Sequence, residues 1–247
     1  MKRISDFILA LIGLIISSPI LIPVIFLVWI QDWHSPFYIA PRVGKDGKQF
    51  KMLKLRSMIV NADKTGVDST SSNDKRITGV GRFIRKYKLD ELSQLWNVLI
   101  GDMSLVGPRP NVKRETDLYT IEEKKLLTVR PGITDFSSIV FSDEGEILKD
   151  QQDPDIAYNQ LIRPGKSMLG VFYIEKRNFI IDIKLIYLTV IAIISKEKAL
   201  NSLVVILKKL GTTDLLIQIA SRKSQLVPMP PPGAKKIVTN REGRIDI

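Results

Sequence analysis

At the centre of the chain, residues 81–110 read GRFIRKYKLDELSQLWNVLIGDMSLVGPRP. Apolar residues recur there at three- and four-residue spacing, which predicts one amphipathic helix over 82–99 that ends at Gly101. Two adjacent carboxylates, Asp90 and Glu91, stand where the apolar stripe begins. We interpret the stripe as core packing; it consists of Leu89, Leu92, Leu95, Trp96 and Leu99.

The surroundings of Asp90 and Glu91 favour phosphate chemistry. A helix start offers free N–H groups and a partial positive charge, which bind phosphate and favour ionised carboxylates. Such carboxylates suit a hard cation like Mg²⁺, and a carboxylate can also attack phosphorus to form an acyl phosphate. Arg85 and Arg109 flank the pair in sequence, and guanidinium groups bind phosphate bidentately. An isolated Asp-Glu pair is ordinarily a solvated helix start, so only the whole pattern predicts a magnesium-dependent phosphate site.

Residues 7–30 carry no charge and are long enough to cross a bilayer, which takes about 20 apolar residues. Ser18-Pro19 and Pro23 lie mid-segment and predict a bend, with the hydroxyls of Ser17 and Ser18 satisfying the freed carbonyls. The basic flanks include Lys2, Arg3, Arg42, Lys45 and Lys48, and the positive-inside rule places both in the cytoplasm. We therefore predict a re-entrant helix, in preference to a simple spanning anchor or a cleaved signal peptide.

Composition narrows the function classes. The 247 residues carry a formal net charge of +11, which favours an anionic partner such as acidic lipid or a phosphorylated substrate. The absence of cysteine excludes disulfides, thiolate zinc sites and thiol nucleophiles. The single histidine, His34, excludes a mechanism that needs two imidazoles, and we interpret it as an ordinary interfacial residue.

The remaining chain predicts short elements. We expect a hairpin over 37–60, a loop over 61–73, and helices over 120–127, 182–195 and 200–223. Thr120 and Glu123 form a possible capping box, and 182–195 could lie in the core or at a membrane interface. Asp153-Pro154-Asp155 resembles a metal-binding Asp-x-Asp, but the proline suits a helix start better. After a stiff linker over 228–233, the tail over 236–247 predicts one short hairpin.

A set of motifs occurs in order with short gaps. It comprises Arg42-Val43-Gly44, Lys54-Leu55-Arg56-Ser57-Met58, Arg76-Ile77-Thr78, Gly81-Arg82-Phe83-Ile84-Arg85, Leu89-Asp90-Glu91-Leu92, Gln94-Leu95-Trp96-Asn97, Gly101-Asp102-Met103-Ser104, Gly107-Pro108-Arg109-Pro110 and Arg130-Pro131-Gly132-Ile133-Thr134. With the proline-broken N-terminal segment, this set resembles the bacterial sugar transferases, or monotopic phosphoglycosyl transferases, over roughly residues 1–195.

The resemblance implies an α/β fold: a small mixed cytoplasmic domain with amphipathic interfacial helices, plus the re-entrant membrane helix. It implies transfer of a sugar 1-phosphate from a nucleoside diphosphate sugar, with uridine the expected base, to polyprenyl phosphate at the inner leaflet of the bacterial cytoplasmic membrane. A nucleoside monophosphate would leave. The partners would be these substrates and inner-leaflet phospholipid, with no nucleic acid.

Residue roles carry over by position. The resemblance makes Asp90 the nucleophile and Glu91 the ligand of a Mg²⁺ cofactor. Arg85 would hold phosphate near the lipid acceptor, and Arg109 would meet the nucleotide diphosphate. Lys54 would line the site. The membrane break would lie at Ser18 and Pro19.

Three positions depart from the family pattern. Asp135-Phe136 follows Gly-Ile-Thr where the family commonly has Gly and an apolar residue, and Phe37-Tyr38 replaces a usual Gly-Pro after the membrane helix. We expect these two to alter sugar specificity or loop shape. Ser93 stands in place of a frequent proline, which we expect to alter only a helix turn.

The predicted organisation has three parts: the re-entrant helix over 1–36, a catalytic domain over 37–199, and a C-terminal helix, linker and tail over 200–247. The last part could mediate a homodimer or contact a neighbouring pathway enzyme. Two other functions stay open. A metal-dependent glycosyltransferase would release a nucleoside diphosphate, whereas a non-catalytic basic membrane scaffold would release nothing.

Overall fold

The computed structural model describes residues 2–65 and 69–240. That part of the chain is mostly helical, with two small two-stranded sheets. Its α-helices are α1 (Lys2–Ile30), α2 (Gly79–Lys86), α3 (Leu89–Leu92), α4 (Leu95–Ile100), α5 (Lys113–Asp117), α6 (Ile121–Lys124), α7 (Phe136–Val140), α8 (Glu144–Ile147), α9 (Pro154–Ala157), α10 (Arg163–Lys176), α11 (Phe179–Ile194), α12 (Lys196–Lys209) and α13 (Asp214–Ser221). Its strands are β1 (Phe37–Val43), β2 (Gln49–Leu55), β3 (Ser104–Val106) and β4 (Gly132–Thr134).

The first sheet is the predicted hairpin. Strands β1 and β2 pair antiparallel, with Phe37 opposite Leu55 and Val43 opposite Gln49. The turn between them needs positive φ at two residues, Asp46 (57°) and Gly47 (74°), which an Asp-Gly pair tolerates. The prediction of extended structure around a turn over 37–60 is therefore confirmed.

The second sheet brings two distant motifs together. Strands β3 and β4 pair in parallel, with Ser104 opposite Gly132. A Cβ on Gly132 would lie 2.1 Å from the backbone nitrogen of Gly107, so only glycine permits this approach. The Gly132 N–H donates to the carbonyl of Pro108 at 2.9 Å, which presses the Gly-Pro-Arg-Pro turn against β4.

Helix α1 is long and apolar enough to cross a membrane. The helical pattern continues from Lys2 to Ile30 through both prolines, so the bend predicted at Ser18-Pro19 stays a prediction. The predicted local repair is confirmed. Pro19 has no N–H for the carbonyl of Ile15, and the Ser18 hydroxyl donates to that carbonyl at 2.8 Å.

One face of α1 packs on the rest of the protein, and the other faces outward. The packed face holds Asp6, Ala10, Ser17, Leu21, Val24 and Val28. Both ends are tied down: the Arg3 guanidinium donates to the carbonyl of Leu99 at 2.6 Å, and Asp32 just beyond α1 accepts from Arg56 at 2.6 Å. The outward face is a continuous apolar surface that includes Phe7, Ile12, Ile16, Ile20 and Phe26.

The single helix predicted over 82–99 is wrong. The structure has three short helices there, α2, α3 and α4, and the chain turns at Lys88, whose φ is 54°. The break changes the helical phase. Leu89 and Leu95 are buried as predicted, but Trp96 is 52% exposed, so its interpretation as core packing is also wrong.

The main core lies around α7, α10 and α11, and it includes the C-terminal helices. The helix predicted over 200–223 is in fact two, α12 and α13, separated by a turn at Gly211 with φ of 72°. Their apolar faces join the same buried cluster through Leu200, Leu203, Leu207, Leu216 and Ile219.

Several local predictions hold. Thr120 and Glu123 form the capping box of α6, and Asp153 caps α9 with Pro154 in its first turn. The predicted helix over 182–195 is α11, which begins three residues earlier. The short hairpin predicted in the tail falls largely on residues outside those described.

Candidate active site

An open cavity of about 1000 Å³ lies between the β1–β2 hairpin, α2–α3, the turn after β3 and the segment that follows α7. Five residues predicted for the site all line it: Lys54, Arg85, Asp90, Glu91 and Arg109. Ser18 and Pro19 lie on α1 and are not among its lining residues, and their role as a membrane break stays a prediction. The Asp-x-Asp residues are also elsewhere.

The two carboxylates lie in the first turn of α3, a helix of only four residues. Lys88 adopts the left-handed conformation just before it, so α2 and α3 run in different directions and Asp90 and Glu91 face the cavity between them. The Ser93 hydroxyl lies 2.9 Å from the carbonyl of Asp90 and 3.2 Å from that of Leu53 in β2. Ser93 therefore fixes α3 against the strand that carries Lys54, which corrects the expectation that it alters only a helix turn.

Glu91 is bound by two cations. Its carboxylate lies 3.1 Å from the Arg109 guanidinium and 3.9 Å from the Lys88 ammonium. Burial alone would raise the pKa of Glu91, but Arg109, Lys88 and Lys54 together lower it. Glu91 is thus held as a carboxylate.

Arg109 is held rigidly. Prolines flank it in the chain, and its guanidinium also donates to the carbonyl of Ile133 at 2.7 Å. Although burial disfavours its charge, Glu91 and Asp90 raise its pKa above the usual value, so the guanidinium stays protonated. The result is a fixed positive charge beside Glu91, in reach of an anionic ligand in the cavity.

Asp90 differs from its neighbour. Burial raises its pKa, and the Glu91 carboxylate adds to the rise, while Lys54, Arg85 and Arg109 oppose it. Neighbouring carboxylates with pKa values displaced in opposite directions are typical of sites where the two groups have different roles.

Lys54 is the third charged group of this centre. It lies at the end of β2 opposite Tyr38, and its side chain lines the cavity. Burial lowers the pKa of Lys54 to about 8; Asp90 opposes the change, whereas Arg109 and Arg42 add to it. Lys54 therefore titrates near physiological pH.

Arg85 lies in the last turn of α2 and lines the same cavity as the two carboxylates. Its Nε donates to the hydroxyl of Ser57 at 3.0 Å, and this orients the side chain along the cavity wall. A structural ion pair joins Arg76 to Asp74: Arg76 donates to the Asp74 carboxylate at 2.7 Å and also to the carbonyl of Ala62 at 3.1 Å. This pair holds the segment that precedes α2.

Two supporting residues, Asn97 and Asp135, were not assigned a structural role from the sequence. Asn97 is buried and bridges α4 to β2: its Oδ1 accepts from Leu53 N at 2.8 Å and its Nδ2 donates to the carbonyl of Lys51 at 2.7 Å. Asp135 is buried and caps α7 by accepting from Ser138 N at 2.7 Å. Burial raises the pKa of Asp135. Asn97 acts through contacts 44 and 46 residues away in sequence, so only its polar character amid apolar neighbours hinted at it, whereas Asp135 caps α7 through a residue three positions later.

The Asp-x-Asp residues have structural partners. Asp153 Oδ1 accepts from Asp155 N at 3.0 Å, and Asp155 Oδ1 accepts from Ser69 N at 2.9 Å. Asp155 is buried, and neither residue lines the cavity. The interpretation of this motif as a helix start is therefore confirmed.

Comparison with known proteins identifies the family. The description "Bacterial sugar transferase" matches residues 1–196 of the 247. The chain belongs to the bacterial sugar transferase family, which confirms the resemblance seen in its motifs. It is accordingly a transferase, and its helix α1 is long and apolar enough to cross a membrane.

Three relatives illustrate the similarity. A putative undecaprenyl-phosphate N-acetylgalactosaminyl 1-phosphate transferase of Bacillus subtilis is 46% identical over 133 residues, which cover 54% of this chain and 70% of the relative. The undecaprenyl-phosphate galactose phosphotransferase of Salmonella typhimurium is 42% identical over 149 residues, covering 54% of this chain and 31% of the relative. The uncharacterized sugar transferase EpsL of Bacillus subtilis is 34% identical over 197 residues, covering 80% and 89%.

The lengths of these relatives differ. The match spans 31% of several of them, including a UDP-galactose-lipid carrier transferase of Erwinia amylovora. The matched part of this chain therefore corresponds to about a third of the length of these longer relatives.

Proposed function

We propose that this protein transfers a sugar 1-phosphate from a nucleoside diphosphate sugar to polyprenyl phosphate through a covalent intermediate on Asp90. The observation that carries the proposal is the joint placement of Asp90, Glu91, Lys54, Arg85 and Arg109 around one open cavity. The names of the relatives supply the substrate classes: undecaprenyl phosphate as acceptor and a UDP-sugar as donor.

The chemistry is a double displacement. A carboxylate oxygen of Asp90 attacks the phosphorus next to the sugar, and the bond from that phosphorus to the bridging oxygen breaks, so nucleoside monophosphate leaves with the bonding pair. An oxygen of polyprenyl phosphate then attacks the same phosphorus and displaces the Asp90 carboxylate. The product is a polyprenyl diphosphate sugar. Both steps transfer the same phosphoryl group. Asp90 is the nucleophile of the first step and the leaving group of the second, and one set of cations serves both.

The surrounding cations have distinct positions in this scheme. Arg109, fixed by its two prolines and by Glu91, binds the diphosphate of the donor, and its planar fork suits two phosphate oxygens. Arg85 receives the acceptor phosphate. Lys54, beside Asp90, neutralises charge on the transferring phosphoryl group and opposes the rise in the pKa of the Asp90 carboxyl.

A magnesium ion fits the donor set. Within residues 2–65 and 69–240 there is no group of three or more acidic or histidine side chains that could hold a metal alone. Mg²⁺ in phosphoryl-transfer sites usually takes one or two protein carboxylates and completes its shell with water and substrate phosphates. Glu91 and the adjacent Asp90 are the one or two carboxylates that such a site needs. When bound, Mg²⁺ neutralises phosphate oxygens in the transition state.

The identity of the released nucleotide tests the proposed function. The purified protein is incubated with a panel of UDP-sugars, magnesium and undecaprenyl phosphate, and the nucleotide products are separated by chromatography. The expected product is UMP, formed in proportion to lipid-linked sugar. Release of UDP would instead mean direct glycosyl transfer, and release of neither nucleotide from any sugar would favour a non-catalytic scaffold.

We further propose that α1 enters and leaves the same face of the cytoplasmic membrane. Support comes from its contacts: Lys2 pairs with Asp182 of α11 at 2.5 Å, and the other end is held through Asp32 and Arg56. A helix of 29 residues is about 43 Å long, and contacts with one domain at both ends keep both ends on the side of that domain.

Cysteine labelling tests this topology, since the native chain has no cysteine. Ile4→Cys and Trp33→Cys place thiols at exposed positions near the two ends of α1. In intact cells, a membrane-impermeant thiol reagent should miss both, and permeabilisation should expose both. Replacing Ser18 and Pro19 with Ala and Leu should straighten the helix and expose the thiol of Ile4→Cys at the periplasmic side. Labelling of the Ile4→Cys protein in intact cells, with Ser18 and Pro19 unchanged, contradicts the re-entrant arrangement.

A further inference from the structure

The chain beyond the family match is built into the catalytic domain. The match ends at residue 196, where α12 begins. Leu203 and Leu207 of α12 and Ile219 of α13 are buried in one cluster with Phe141, just after α7. Ile219 also packs near Gly165 of α10. These contacts place both helices directly behind one side of the cavity.

Two cations of the C-terminal helices converge on one carboxylate. The Arg222 guanidinium donates to both Asp143 oxygens, at 3.1 Å and 3.3 Å, and the Lys196 ammonium pairs with the same carboxylate. Arg222 also donates to the carbonyl of Val140 at 3.2 Å, and its guanidinium lies 5.7 Å from the centre of the Phe141 ring.

The conformation of Arg222 shows that these contacts fix its position. It caps α13 with φ of 50°, a left-handed conformation that costs free energy for a residue other than glycine. Lys196 is also partly buried; burial lowers its pKa, Asp143 opposes the change, and Arg222 and Lys88 add to it. Lys88 directly precedes the helix of Asp90.

Asp143 belongs to a continuous wall of the cavity. All residues of 141–146 line the cavity, and we call this segment the 141–146 wall. Its Glu144 pairs with Lys166 of α10, which lies 5.2 Å from the centre of the Tyr158 ring. Its Gly145 carbonyl accepts from Ser72 N at 2.9 Å, which joins the wall to the hydroxyl-rich segment 69–72 of the cavity lining.

This polar end of the cavity differs from the end beside α1. Helix α1 packs against α2, α3, α4 and β3, whereas the wall follows α7, which packs against α12 and α13. In the proposed function, the lipid acceptor approaches from the apolar surface of α1. The water-soluble donor is therefore expected at the 141–146 wall, where carboxylates, hydroxyls and the Tyr158 ring can contact a nucleotide sugar.

We propose that Lys196 and Arg222 are positioning residues: by clamping Asp143 they hold the 141–146 wall in the geometry that binds the nucleotide-sugar donor. The inference rests on the proposed function for the identity of the donor. It assigns the C-terminal helices a part in donor binding, through one residue at the end of the shared family region and one beyond it. Neither cation needs to touch substrate, because each acts through Asp143.

The test compares Arg222→Gln, Lys196→Gln and the double variant with the parent. Steady-state kinetics give KM for the UDP-sugar and for undecaprenyl phosphate separately, and hydrogen exchange measures protection of the 141–146 wall. Arg222→Lys keeps the charge on Asp143 and serves as the conservative variant. Lys125→Gln, which removes an exposed pair with Glu122, is the matched control because it also loses one ion pair.

In the double variant the donor KM should rise at least about fivefold, on the order expected for losing two partly buried ion pairs. The acceptor KM and kcat should stay within about twofold, exchange of the wall should quicken, and Arg222→Lys should restore most of the donor affinity. An unchanged donor KM, with or without faster exchange, overturns the inference, as does an equal rise in both KM values. A parent with no turnover on any UDP-sugar would refute the proposed function instead, and calorimetric titration with UDP then compares the variants directly.

Discussion

The low pKa of Lys54 predicts how the reaction responds to alkaline pH. Its pKa is about 8, against 10.5 for an exposed lysine, and the difference corresponds to roughly 3 kcal/mol in favour of the neutral amine. The main cause is burial, and Asp90 on one side only partly offsets it. Because the pKa is lowered, Lys54 is charged below about pH 8 and neutral above it.

The expected loss of activity follows from this titration. Between pH 7 and pH 9 the charged fraction of Lys54 falls from about 0.9 to about 0.1. If the ammonium neutralises the transferring phosphoryl group, kcat/KM should fall about tenfold over that interval. On the acid side the raised pKa of Asp90 works in the opposite direction, since the nucleophile must be ionised and activity should rise as pH rises through that pKa.

Lys54→Arg isolates the contribution of Lys54. A guanidinium stays charged to above pH 12, so the falling limb should disappear between pH 7 and pH 9 while the acid limb remains. The assay is UMP release at fixed ionic strength, measured for the parent, Lys54→Arg and Lys54→Gln. Lys54→Gln should be slow throughout and flat over the alkaline interval.

The result that would refute this reasoning is a falling limb near pH 8 that persists in Lys54→Arg. The group that titrates would then belong to another residue or to a substrate. Equal pH–rate profiles for the parent and Lys54→Gln would likewise show that the charge of Lys54 does not contribute to the reaction rate.

Further predictions concern single groups. Asp90→Asn should abolish turnover and the trapping of labelled phosphosugar on the protein while its unfolding transition stays close to that of the parent; substantial turnover would exclude Asp90 as nucleophile. Glu91→Gln should weaken the magnesium response, measured by titrating Mg²⁺ after EDTA treatment, and parent activity that persists in EDTA would count against a metal role. The fully buried carboxylate of Glu123 accepts from Arg163 at 2.6 Å. Arg163→Met leaves this carboxylate without its cation, so the free energy of unfolding in urea should fall by about 3–5 kcal/mol. Lys113→Met, at an exposed pair, should change it by less than about 1 kcal/mol; equal effects would show that burial does not decide the cost.

The sequence predicted correctly those turns and helix ends that depend on residues close to one another in the chain. The Asp-Gly turn of the first hairpin, the capping box at Thr120 and the helix start at Asp153 each follow from hydrogen bonds within a few residues. The hydroxyl of Ser18 is another case, because the carbonyl that Pro19 leaves free is only three residues away from it.

The errors have identifiable physical causes. Lysine has no marked preference for positive φ, so nothing in the sequence marks the turn at Lys88 that divides the helix over 82–99 and exposes Trp96. The break between α12 and α13 had a readable signal, since Gly211 stands before Thr213, which caps α13.

For the site, the motifs predicted the charged residues that line the cavity, but they did not predict the polar residues that hold the surrounding strands and helices in place. Ser93 and Asn97 act on β2 from about 40 residues away in the chain, and Arg222 acts on Asp143 over 79 residues. Such pairs leave no periodic or spaced pattern in a single sequence. Their partners become visible only when the fold places them together.

The way α1 packs has a consequence for where this protein can fold. The helix is synthesised before the residues that hold it: the carbonyl that Arg3 binds belongs to a residue 96 positions later, and the partner of Lys2 comes 180 positions later. Two of the three apolar clusters of the described chain contain residues of α1, so a fragment begun after Ile30 would leave their remaining members facing water. In the membrane topology proposed above, α1 therefore stays in lipid until its own domain has emerged from the ribosome, and the domain completes its core at the membrane surface rather than in free solution.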